Sequence, residues 1–187
     1  MKLIKLHNEK RLVRDCQSGD RRAQKLLYDT YAPKMLFVCR RYFQEVYLAE
    51  DALLKSFLKV YQNLNKFEFQ GSFEGWIRKT VVRTCIDSLR QQKIDLRLDD
   101  NYAEQVVEEQ TIDPVYSQEQ LLAALNRLPK GYSVVFNLYA IEGYKHREIA
   151  QMLEITESTS KTQLLRARKL LKEYLTKNKS YETSIRG

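Results

Sequence analysis

The sequence predicts an all-α protein of two small helical domains joined by an acidic linker, with a helix-turn-helix in the C-terminal domain. Apolar residues recur at helical spacing along most of the chain, and the two-residue alternation typical of strands does not persist. Glycine and proline are scarce, at six and three among 187 residues. We expect the first domain over residues 1–92, the linker over 93–116 and the second domain over 117–187.

Four helices are expected in the first domain. Asp20 can cap a helix that ends near Tyr31. Pro33 suits the first turn of the next helix, where its missing N–H would have no partner in any case. The third and fourth helices have longer apolar stripes and are predicted over 48–64 and 73–92.

Residues 91–117 differ in composition from the segments on either side. This stretch has little helical periodicity and carries seven acidic side chains, which are Asp95, Asp99, Asp100, Glu104, Glu108, Glu109 and Asp113. A polar acidic segment cannot bury enough apolar surface to fold alone. We therefore interpret it as a linker between domains.

Helical spacing returns after the linker in four segments. The segments are 120–128, 132–141, 146–153 and 157–175. The first two are separated by a break at 129–131, and Gly143 forms a second break. A tight turn is expected at 154–156, with Thr156 as the N-cap of the last helix.

The last two helices have the features of a DNA-binding helix-turn-helix. Ala150 is a small residue where they would cross, and the second helix opens with short polar and basic residues, as suits an element whose N-terminal part enters the major groove. The alternative is an ordinary helical hairpin with a solvated charged face. Gln163 would pair with adenine and Arg166 with phosphate. The predicted DNA-facing residues are Glu157, Ser158, Thr159, Lys161, Thr162, Gln163, Arg166 and Arg168.

The composition limits the classes of protein to which this chain can belong. The net charge of +8 and a pI near 9.3 suit nucleic-acid binding, because phosphate neutralisation releases counterions. The N-terminus has no apolar run of signal-peptide length and no segment is long enough to span a membrane, so we expect a cytoplasmic protein. Cys16, Cys39 and Cys85 are expected to be buried free thiols. Two histidines and no nucleophile–base pattern predict no metal, no cofactor, no small-molecule substrate and no enzymatic activity.

Aromatic and cationic residues interleave in the loop 65–72 and in the fourth helix, which Ser72 can cap. They are Phe67, Phe69, Phe73, Trp76, Arg78, Lys79, Arg83, Arg90 and Lys93. Single-stranded nucleic acid is bound by aromatic side chains beside a positive track, and a flipped base needs a pocket of this kind. For Phe73 and Trp76 the alternative is a place in the hydrophobic core.

Short motifs occur in a specific order across nearly the whole chain. The first domain contains Ala49-Glu50-Asp51, Phe57-Leu58-Lys59-Val60-Tyr61, Phe73-x-x-Trp76-Ile77 and Asp87-x-x-Arg90. The second contains Leu128-Pro129, His146-Arg147-Glu148-Ile149-Ala150, Thr159-x-Lys161-Thr162 and Arg166-Ala167-Arg168. Together these motifs resemble those of the extracytoplasmic-function sigma factors, small bacterial subunits that give RNA polymerase its promoter specificity.

The resemblance implies roles and partners for these motifs. The helix around Asp51, with Leu54, Lys55 and Lys59, would dock on the clamp of the largest subunit of the RNA polymerase core. The loop and fourth helix would capture unpaired bases of the −10 promoter element through Phe67, Phe69, Gln70, Ser72, Trp76, Lys79 and Arg83. The helix from Glu157 would bind the −35 element of promoter DNA, and the acidic linker would thread toward the polymerase active channel. Whether an anti-sigma factor also binds is left open.

Some positions depart from the family pattern. Leu54-Lys55 stand where Gln-Glu is usual and Arg83 where asparagine is usual, while Ser158, Ser160 and Gln163 replace a common glycine, valine and arginine. Two other functions are compatible with the sequence. One is a two-domain helix-turn-helix transcriptional regulator. The other is a degenerate polymerase-binding paralogue, which the Leu54-Lys55 departure favours.

Overall fold

The structure is a computed structural model that describes residues 2–92 and 118–185. The chain forms two compact units that divide after Ser88. Every regular element in the described residues is helical, which confirms the all-α prediction. The helices are α1 (Lys2–Gln17), α2 (Arg21–Arg40), α3 (Val46–Asn63), α4 (Phe73–Gln91), α5 (Gln118–Arg127), α6 (Lys130–Phe136), α7 (His146–Leu153) and α8 (Glu157–Ile185). The predicted linker over 93–116 lies outside the described residues.

The N-terminal unit begins with α1, a helix that the sequence analysis did not predict. It ends in a Schellman motif, in which the N–H of Gly19 bonds to the carbonyl of Cys16 and the N–H of Asp20 to that of Asp15, both at 3.1 Å. Gly19 has a φ of 89°, which a glycine adopts without steric cost. Asp20 then caps α2, as predicted, and accepts a hydrogen bond from the N–H of Ala23 at 3.2 Å. This junction fixes the direction of α1 relative to α2.

The predicted helix start at Pro33 is wrong, because α2 runs unbroken from Arg21 to Arg40. A proline inside a helix removes one backbone hydrogen bond and costs about 3 kcal/mol. The buried residues of α2 nevertheless stay in phase on both sides of Pro33, and they are Ala23, Leu27, Tyr31, Ala32, Met35, Val38 and Cys39. Burial of each large side chain in this stripe contributes about 1.5–3 kcal/mol, which offsets the cost of the proline.

The helices α3 and α4 begin and end close to their predicted bounds. Ser72 caps α4, as predicted, since its Oγ accepts a hydrogen bond from the N–H of Gly75 at 3.2 Å. All three cysteines are buried and free of disulfides, as predicted, and the Sγ atoms of Cys39 and Cys85 lie 3.8 Å apart. The largest fully buried side chains of this unit are Leu27, Met35, Tyr42, Phe57, Phe73 and Ile77.

In the C-terminal unit the predicted break at 129–131 is shorter than expected. Pro129 precedes α6, and the two residues after it already belong to the helix. The helix passes into a π-helical turn, where the N–H of Glu142 bonds to the carbonyl of Asn137 at 2.9 Å. Gly143, with a φ of 77°, then turns the chain toward α7 at the second predicted break.

The helix α8 is the centre of the C-terminal unit and packs against α5, α6 and α7. It continues to Ile185, past the predicted end at Leu175. Its buried residues follow helical spacing and are Ser160, Gln163, Leu164, Ala167, Leu171 and Leu175. This packing leaves the other side of the first turns of α8 open to solvent.

Candidate nucleic-acid interface

The loop 67–72 and the first turn of α4 form an aromatic cluster. Phe73 is fully buried, and its ring stacks on that of Trp76 with centroids 5.7 Å apart and planes at 14°. Phe67 packs against both rings, at 4.9 Å from Phe73 and 5.6 Å from Trp76. The ring of Phe69 lies 5.3 Å from that of Phe67. Phe73 therefore belongs to the core, whereas Trp76 and Phe69 keep part of their surface exposed.

The burial of Phe67 argues against the prediction that this residue contacts DNA. Phe67 is only 6% exposed, because the rings around it cover its faces. A base cannot stack on an aromatic ring that is already enclosed. The contribution of Phe67 is to support Phe69 and Trp76, the two predicted aromatic residues that keep accessible ring surface.

Phe69 has an unusual backbone conformation, with a φ of 61°. A bulky residue rarely enters the left-handed region, and such a conformation persists only where the surroundings stabilise it. Two side chains contact the ring of Phe69. Its centroid lies 5.3 Å from that of Phe67 and 5.6 Å from the guanidinium carbon of Arg14.

Exposed polar and basic side chains extend from the aromatic cluster along α4. Lys79 and Arg83 are exposed and follow Trp76 at intervals of about one turn, so these three residues share a face of the helix. Gln70 and Ser72 are exposed in the preceding loop. Accessible rings beside positive charge are the two components of a single-strand binding surface.

The helix α3 has an exposed apolar face outside its buried stripe. Tyr47, Leu54 and Leu58 are 67%, 56% and 60% exposed. Beside them, the Nζ of Lys55 lies 2.6 Å from Oδ2 of Asp51, one turn earlier. Tyr47 and Leu58 were not predicted as contact residues, although apolar residues outside the main stripe of a helix are the signal that identifies such a face.

Lys59 lies on α3 next to the exposed apolar face. Its Nζ forms an ion pair with Oδ2 of Asp87 on α4 at 3.0 Å. Both side chains are about half exposed, and ion pairs in such positions contribute little to stability. The pair orients the Lys59 side chain toward α4, so Lys59 is not an isolated cation on the surface.

The turn between α7 and α8 has the predicted position and cap. Glu154 adopts the left-handed conformation, with φ 55° and ψ 42°, and its N–H bonds to the carbonyl of Ala150. Thr156 then caps α8, because its Oγ1 accepts a hydrogen bond from the N–H of Thr159 at 3.0 Å. Ile149 and Leu153 are buried, whereas Ala150 is partly exposed. The C-terminal unit therefore contains the predicted helix-turn-helix.

The solvent-exposed side of α8 begins at the first residue of the helix. Glu157, Ser158 and Lys161 are exposed, and Thr159 and Thr162 are partly exposed. These five short or flexible side chains surround the N-terminus of α8, where unpaired backbone N–H groups favour anions such as phosphate. The first turns of α8 can therefore enter a groove without moving the buried side of the helix.

The burial of Gln163 argues against the prediction that this residue reads a base. Gln163 is 2% exposed and occupies the buried stripe between Ser160 and Ala167. A side chain in this position cannot reach a base edge unless the helix-turn-helix unfolds. The helical spacing of the buried residues could be seen in the sequence. Gln163 was not assigned to them because glutamine is polar.

Two tyrosines that the sequence analysis missed hold the arginines of α8. Nη1 of Arg166 donates a hydrogen bond to the hydroxyl of Tyr132 at 3.2 Å. The guanidinium carbon of Arg168 lies 5.8 Å from the ring centroid of Tyr139. That ring also stacks on His146, with centroids 4.5 Å apart and planes at 23°. Both arginines stay partly exposed, so each is oriented by the fold and still accessible to phosphate.

His146 joins the two helices of the helix-turn-helix, since its Nδ1 lies 2.9 Å from Oγ of the buried Ser160. Burial lowers the pKa of His146 below its usual value of 6.5, and the nearby cations Lys161 and Arg168 lower it further. The carboxylate of Glu157 acts in the opposite direction and is the weakest of these influences. At neutral pH the imidazole is therefore uncharged.

Two features are absent from the part of the chain that the structure describes. Residues 2–92 and 118–185 contain no cluster of three or more His, Cys, Asp or Glu side chains that could hold a metal ion. In the same ranges, no helix has the length and apolar character needed to cross a membrane.

Two family models match the chain. Sigma-70 region 2 matches residues 27–94, and Sigma-70 region 4 matches residues 118–171. The first match covers most of α2, all of α3 and α4, and the aromatic loop between them. The second covers α5 to α7 and the part of α8 that holds the open polar face. The two surfaces described above therefore lie inside the two matched regions.

The chain is also similar to individual proteins. The chain is 28% identical over 179 residues to the ECF RNA polymerase sigma factor SigW of Bacillus subtilis, covering 89% of this chain and 96% of SigW. It is 33% identical over 129 residues to the RNA polymerase sigma factor SigV of Bacillus subtilis, covering 69% of this chain and 76% of SigV. A solved structure of the sigma factor RpoE with the anti-sigma factor NepR from Bartonella quintana is 18% identical, with a TM-score of 0.49 over 81% of this chain and 96% of that one.

Membership of the family follows from the sequence matches. The chain is 33% identical to SigV and covers 76% of it, and each of the two family models matches a segment of one helical unit. Sigma factors perform no catalysis and instead direct core polymerase to its start sites. The chain belongs to the extracytoplasmic-function family of RNA polymerase sigma factors and directs transcription from specific promoters.

Proposed function

We propose that this sigma factor divides promoter recognition between its two helical units. Residues 1–92 bind core polymerase and the −10 element, 117–187 bind the −35 element, and 93–116 connect them. The observation that supports this division is the presence of two chemically different surfaces. One combines accessible aromatic rings with cations, as single strands require, and the other opens a helix N-terminus, as duplex DNA requires.

The −35 element is proposed to meet the first turns of α8. Lys161 is the exposed basic residue there and can bond to guanine or phosphate, while hydroxyls of Ser158, Thr159 and Thr162 can accept or donate at base edges. Glu157 can accept a hydrogen bond from cytosine. Arg166 and Arg168 bind phosphates in this arrangement, since their tyrosine partners hold the guanidinium groups in fixed positions. Phosphate contacts of this kind set the register of the helix on DNA.

The −10 element is proposed to meet the aromatic loop after the strands separate. An unpaired base stacks on the accessible surface of Phe69 or Trp76, and Gln70 and Ser72 supply hydrogen-bonding groups. Lys79 and Arg83 then neutralise phosphates of the same strand along α4. Each base that stacks on an aromatic side chain gains about 1–3 kcal/mol.

Core polymerase is proposed to bind the exposed face of α3 through the clamp of its largest subunit. Asp51, Leu54, Lys55 and Lys59 lie on or beside this face. The family pattern has Gln-Glu at Leu54-Lys55, so the sequence suggests a reversed charge. The 2.6 Å pair with Asp51 neutralises that lysine locally, which leaves Leu54 as an apolar contact at the centre of the face.

The same apolar face of α3 can bind a second partner when polymerase is absent. Tyr47, Leu54 and Leu58 are all more than half exposed, and apolar groups of this kind favour association. An anti-sigma factor that covers them would block the clamp contact by competition. A chain that binds polymerase works where the bacterial DNA is transcribed, so we propose the cytoplasm as its location.

Run-off transcription tests this function. Core polymerase is incubated with the chain and a library of genomic promoter fragments, and transcripts are mapped at their 5′ ends. The proposal predicts transcripts from a limited set of start sites that core polymerase alone does not use. Co-purification with polymerase but no such transcripts would instead identify a polymerase-binding paralogue without sigma activity.

A further inference from the structure

The helix α1 holds the loop 67–72 from one side, through two contacts. Nε2 of Gln17 donates a hydrogen bond to the carbonyl of Leu64 at 3.0 Å, at the short 3-10 turn that leads into the loop. The guanidinium carbon of Arg14 lies 5.6 Å from the ring centroid of Phe69 within the loop. Arg14 and Gln17 are three residues apart and therefore share a face of α1. One helix face thus holds both the entry and the interior of the loop.

The helix α1 is itself fixed to the core of the unit. Val13 and Cys16, next to the two contact residues, are 0% and 3% exposed. The Schellman motif at Gly19 and the cap at Asp20 join α1 rigidly to α2. The contacts to the loop are therefore made from a rigid element. The helix precedes residues 27–94, the segment that matches the region 2 family model.

The backbone of Phe69 explains why the loop needs this support. A φ of 61° is unfavourable for a bulky residue and relaxes unless neighbouring groups oppose it. The Phe67 ring restrains the side chain from the core, and Arg14 restrains it from the solvent side. A guanidinium over an aromatic face is attracted to the ring electrons and can also stay solvated. Arg14 is exposed and meets both conditions.

We propose that Arg14 is a positioning residue for the −10 loop, and that its guanidinium holds Phe69 in the conformation that receives an unpaired base. This inference rests on the proposed function of the loop. Because the loop is ordered before DNA arrives, binding does not have to meet the full entropic cost of ordering it. Arg14 acts through Phe69, which distinguishes it from the residues that touch DNA.

The alternative is that Arg14 acts as a plug, a side chain that blocks the ring face of Phe69. In that case the guanidinium would occupy the ring face that the base needs, and it would have to leave before stacking. The two roles predict opposite signs for removal of the side chain. A positioning residue strengthens base capture, whereas a plug weakens it.

The test compares holoenzymes on a forked DNA, with duplex upstream and an unpaired −10 strand downstream, from a promoter that the wild-type holoenzyme transcribes. Arg14→Ala should weaken binding to the fork about three- to tenfold, as expected for loss of a cation–aromatic contact. Binding to the upstream duplex alone should not change. Arg11→Ala is the matched control, because it removes the same charge one turn earlier from a side chain that is 81% exposed. Arg14→Lys keeps the charge without the planar group and should restore only part of the loss.

A second measurement needs no DNA. Trp76 is the single tryptophan of the chain and its ring packs against Phe67, which in turn contacts Phe69. Release of Phe69 should make Trp76 more accessible to acrylamide quenching in Arg14→Ala than in wild type or Arg11→Ala. The free chain suffices for this comparison, and thermal melting of each variant shows that the unit remains folded.

The outcomes separate this inference from the function on which it rests. Increased quenching together with selective loss on the fork supports positioning by Arg14. Tighter fork binding by Arg14→Ala, equal losses in Arg11→Ala, or full rescue by Arg14→Lys would each overturn it. If the wild-type holoenzyme binds fork and duplex equally, the proposed function of the loop fails, whereas unchanged quenching rejects the contribution of Arg14 alone.

Discussion

Nδ1 of His146 lies 2.9 Å from Oγ of Ser160, so the first turn of α7 is tied to the first turn of α8. The imidazole also stacks on Tyr139, whose ring lies near Arg168. One neutral histidine thus links the two helices of the helix-turn-helix to an arginine that we propose binds phosphate. The protonation state of His146 should therefore affect both the stability of this unit and its DNA contacts.

The stability of the C-terminal unit should fall on mild acidification. The folded pKa of His146 lies below the unfolded value of 6.5, mainly through burial, so the unfolded chain binds the proton more readily. The resulting stabilisation is fully present above about pH 6.5 and is lost as pH falls through the folded pKa. Thermal unfolding measured between about pH 5 and 8 should show a shallower pH dependence in His146→Gln than in wild type. His7→Gln, which removes the other histidine, is the control, and equal slopes in wild type and His146→Gln would contradict the prediction.

Tyr132 should contribute to DNA binding without touching DNA. Arg166→Ala is expected to weaken holoenzyme binding evenly across promoter sequences, because phosphate contacts carry no base information. Tyr132→Phe removes only the hydroxyl that accepts from Arg166 and should cause a smaller even loss, about 0.5–1.5 kcal/mol. The double variant should be no weaker than Arg166→Ala. Additive losses in a binding titration would show that the two residues act separately.

Lys161 and Gln163 should differ sharply, although both lie in the first turns of α8. Lys161→Ala should cost about 1–3 kcal/mol at one base position if the exposed lysine bonds to guanine. Gln163→Ala should lower the free energy of unfolding and leave base preference unchanged, because the side chain is buried. Affinities for a set of single-base promoter variants measure the first effect, and chemical denaturation measures the second. A change of base preference in Gln163→Ala would restore its direct role in recognition.

The accuracy of the sequence predictions depended on how local the determining interactions were. The caps Asp20, Ser72 and Thr156 were predicted because each bonds to a backbone N–H within three residues. Pro33 misled because the burial of the α2 stripe outweighs the local preference of proline. No local pattern in the sequence predicts the hydrogen bond between Arg166 and Tyr132, which are 34 residues apart.

The residues of the candidate surfaces were predicted less accurately than the bounds of the helices. The residue types of the aromatic loop were sufficient to identify a single-strand surface, but not to tell which rings are enclosed. Phe67 and Phe69 are two residues apart and chemically identical, yet the first is buried and the second is partly exposed. Phe67 is enclosed by three neighbouring rings, whereas Phe69 has a positive φ and is contacted by Arg14, which lies far away in sequence.

Position 54 should lie inside the polymerase contact, and the Leu54 side chain should be dispensable for folding. Leu54→Asp places a charge on the exposed face of α3 and should weaken binding to core polymerase about tenfold or more, since an unpaired charge in an interface is desolvated without compensation. Leu26→Asp is a matched control, because Leu26 on α2 is also 56% exposed and lies outside the proposed contact. Competition for labelled core polymerase measures the affinities. Equal effects of the two substitutions would remove α3 from the interface.

Restoring the usual family pair is a sharper test of the same face. The double variant Leu54→Gln, Lys55→Glu replaces the ion pair with Asp51 by two acidic residues one turn apart, which costs the helix only about 0.2–0.5 kcal/mol. We expect tighter binding to core polymerase if the clamp is built for the usual pair. Weaker binding would indicate a clamp with compensating changes. Unchanged binding would show that both positions lie outside the contact.

Site-specific photocrosslinking tests the division of promoter recognition most directly. A photoreactive amino acid is placed at position 79 in α4 or at position 161 in α8. The holoenzyme that contains it is bound to one promoter, and the crosslinked bases are mapped. We expect crosslinks to the −10 element from position 79 and to the −35 element from position 161, in both cases only with core polymerase present. Crosslinks from both positions to the same element, or an identical pattern from the free chain, would contradict this division.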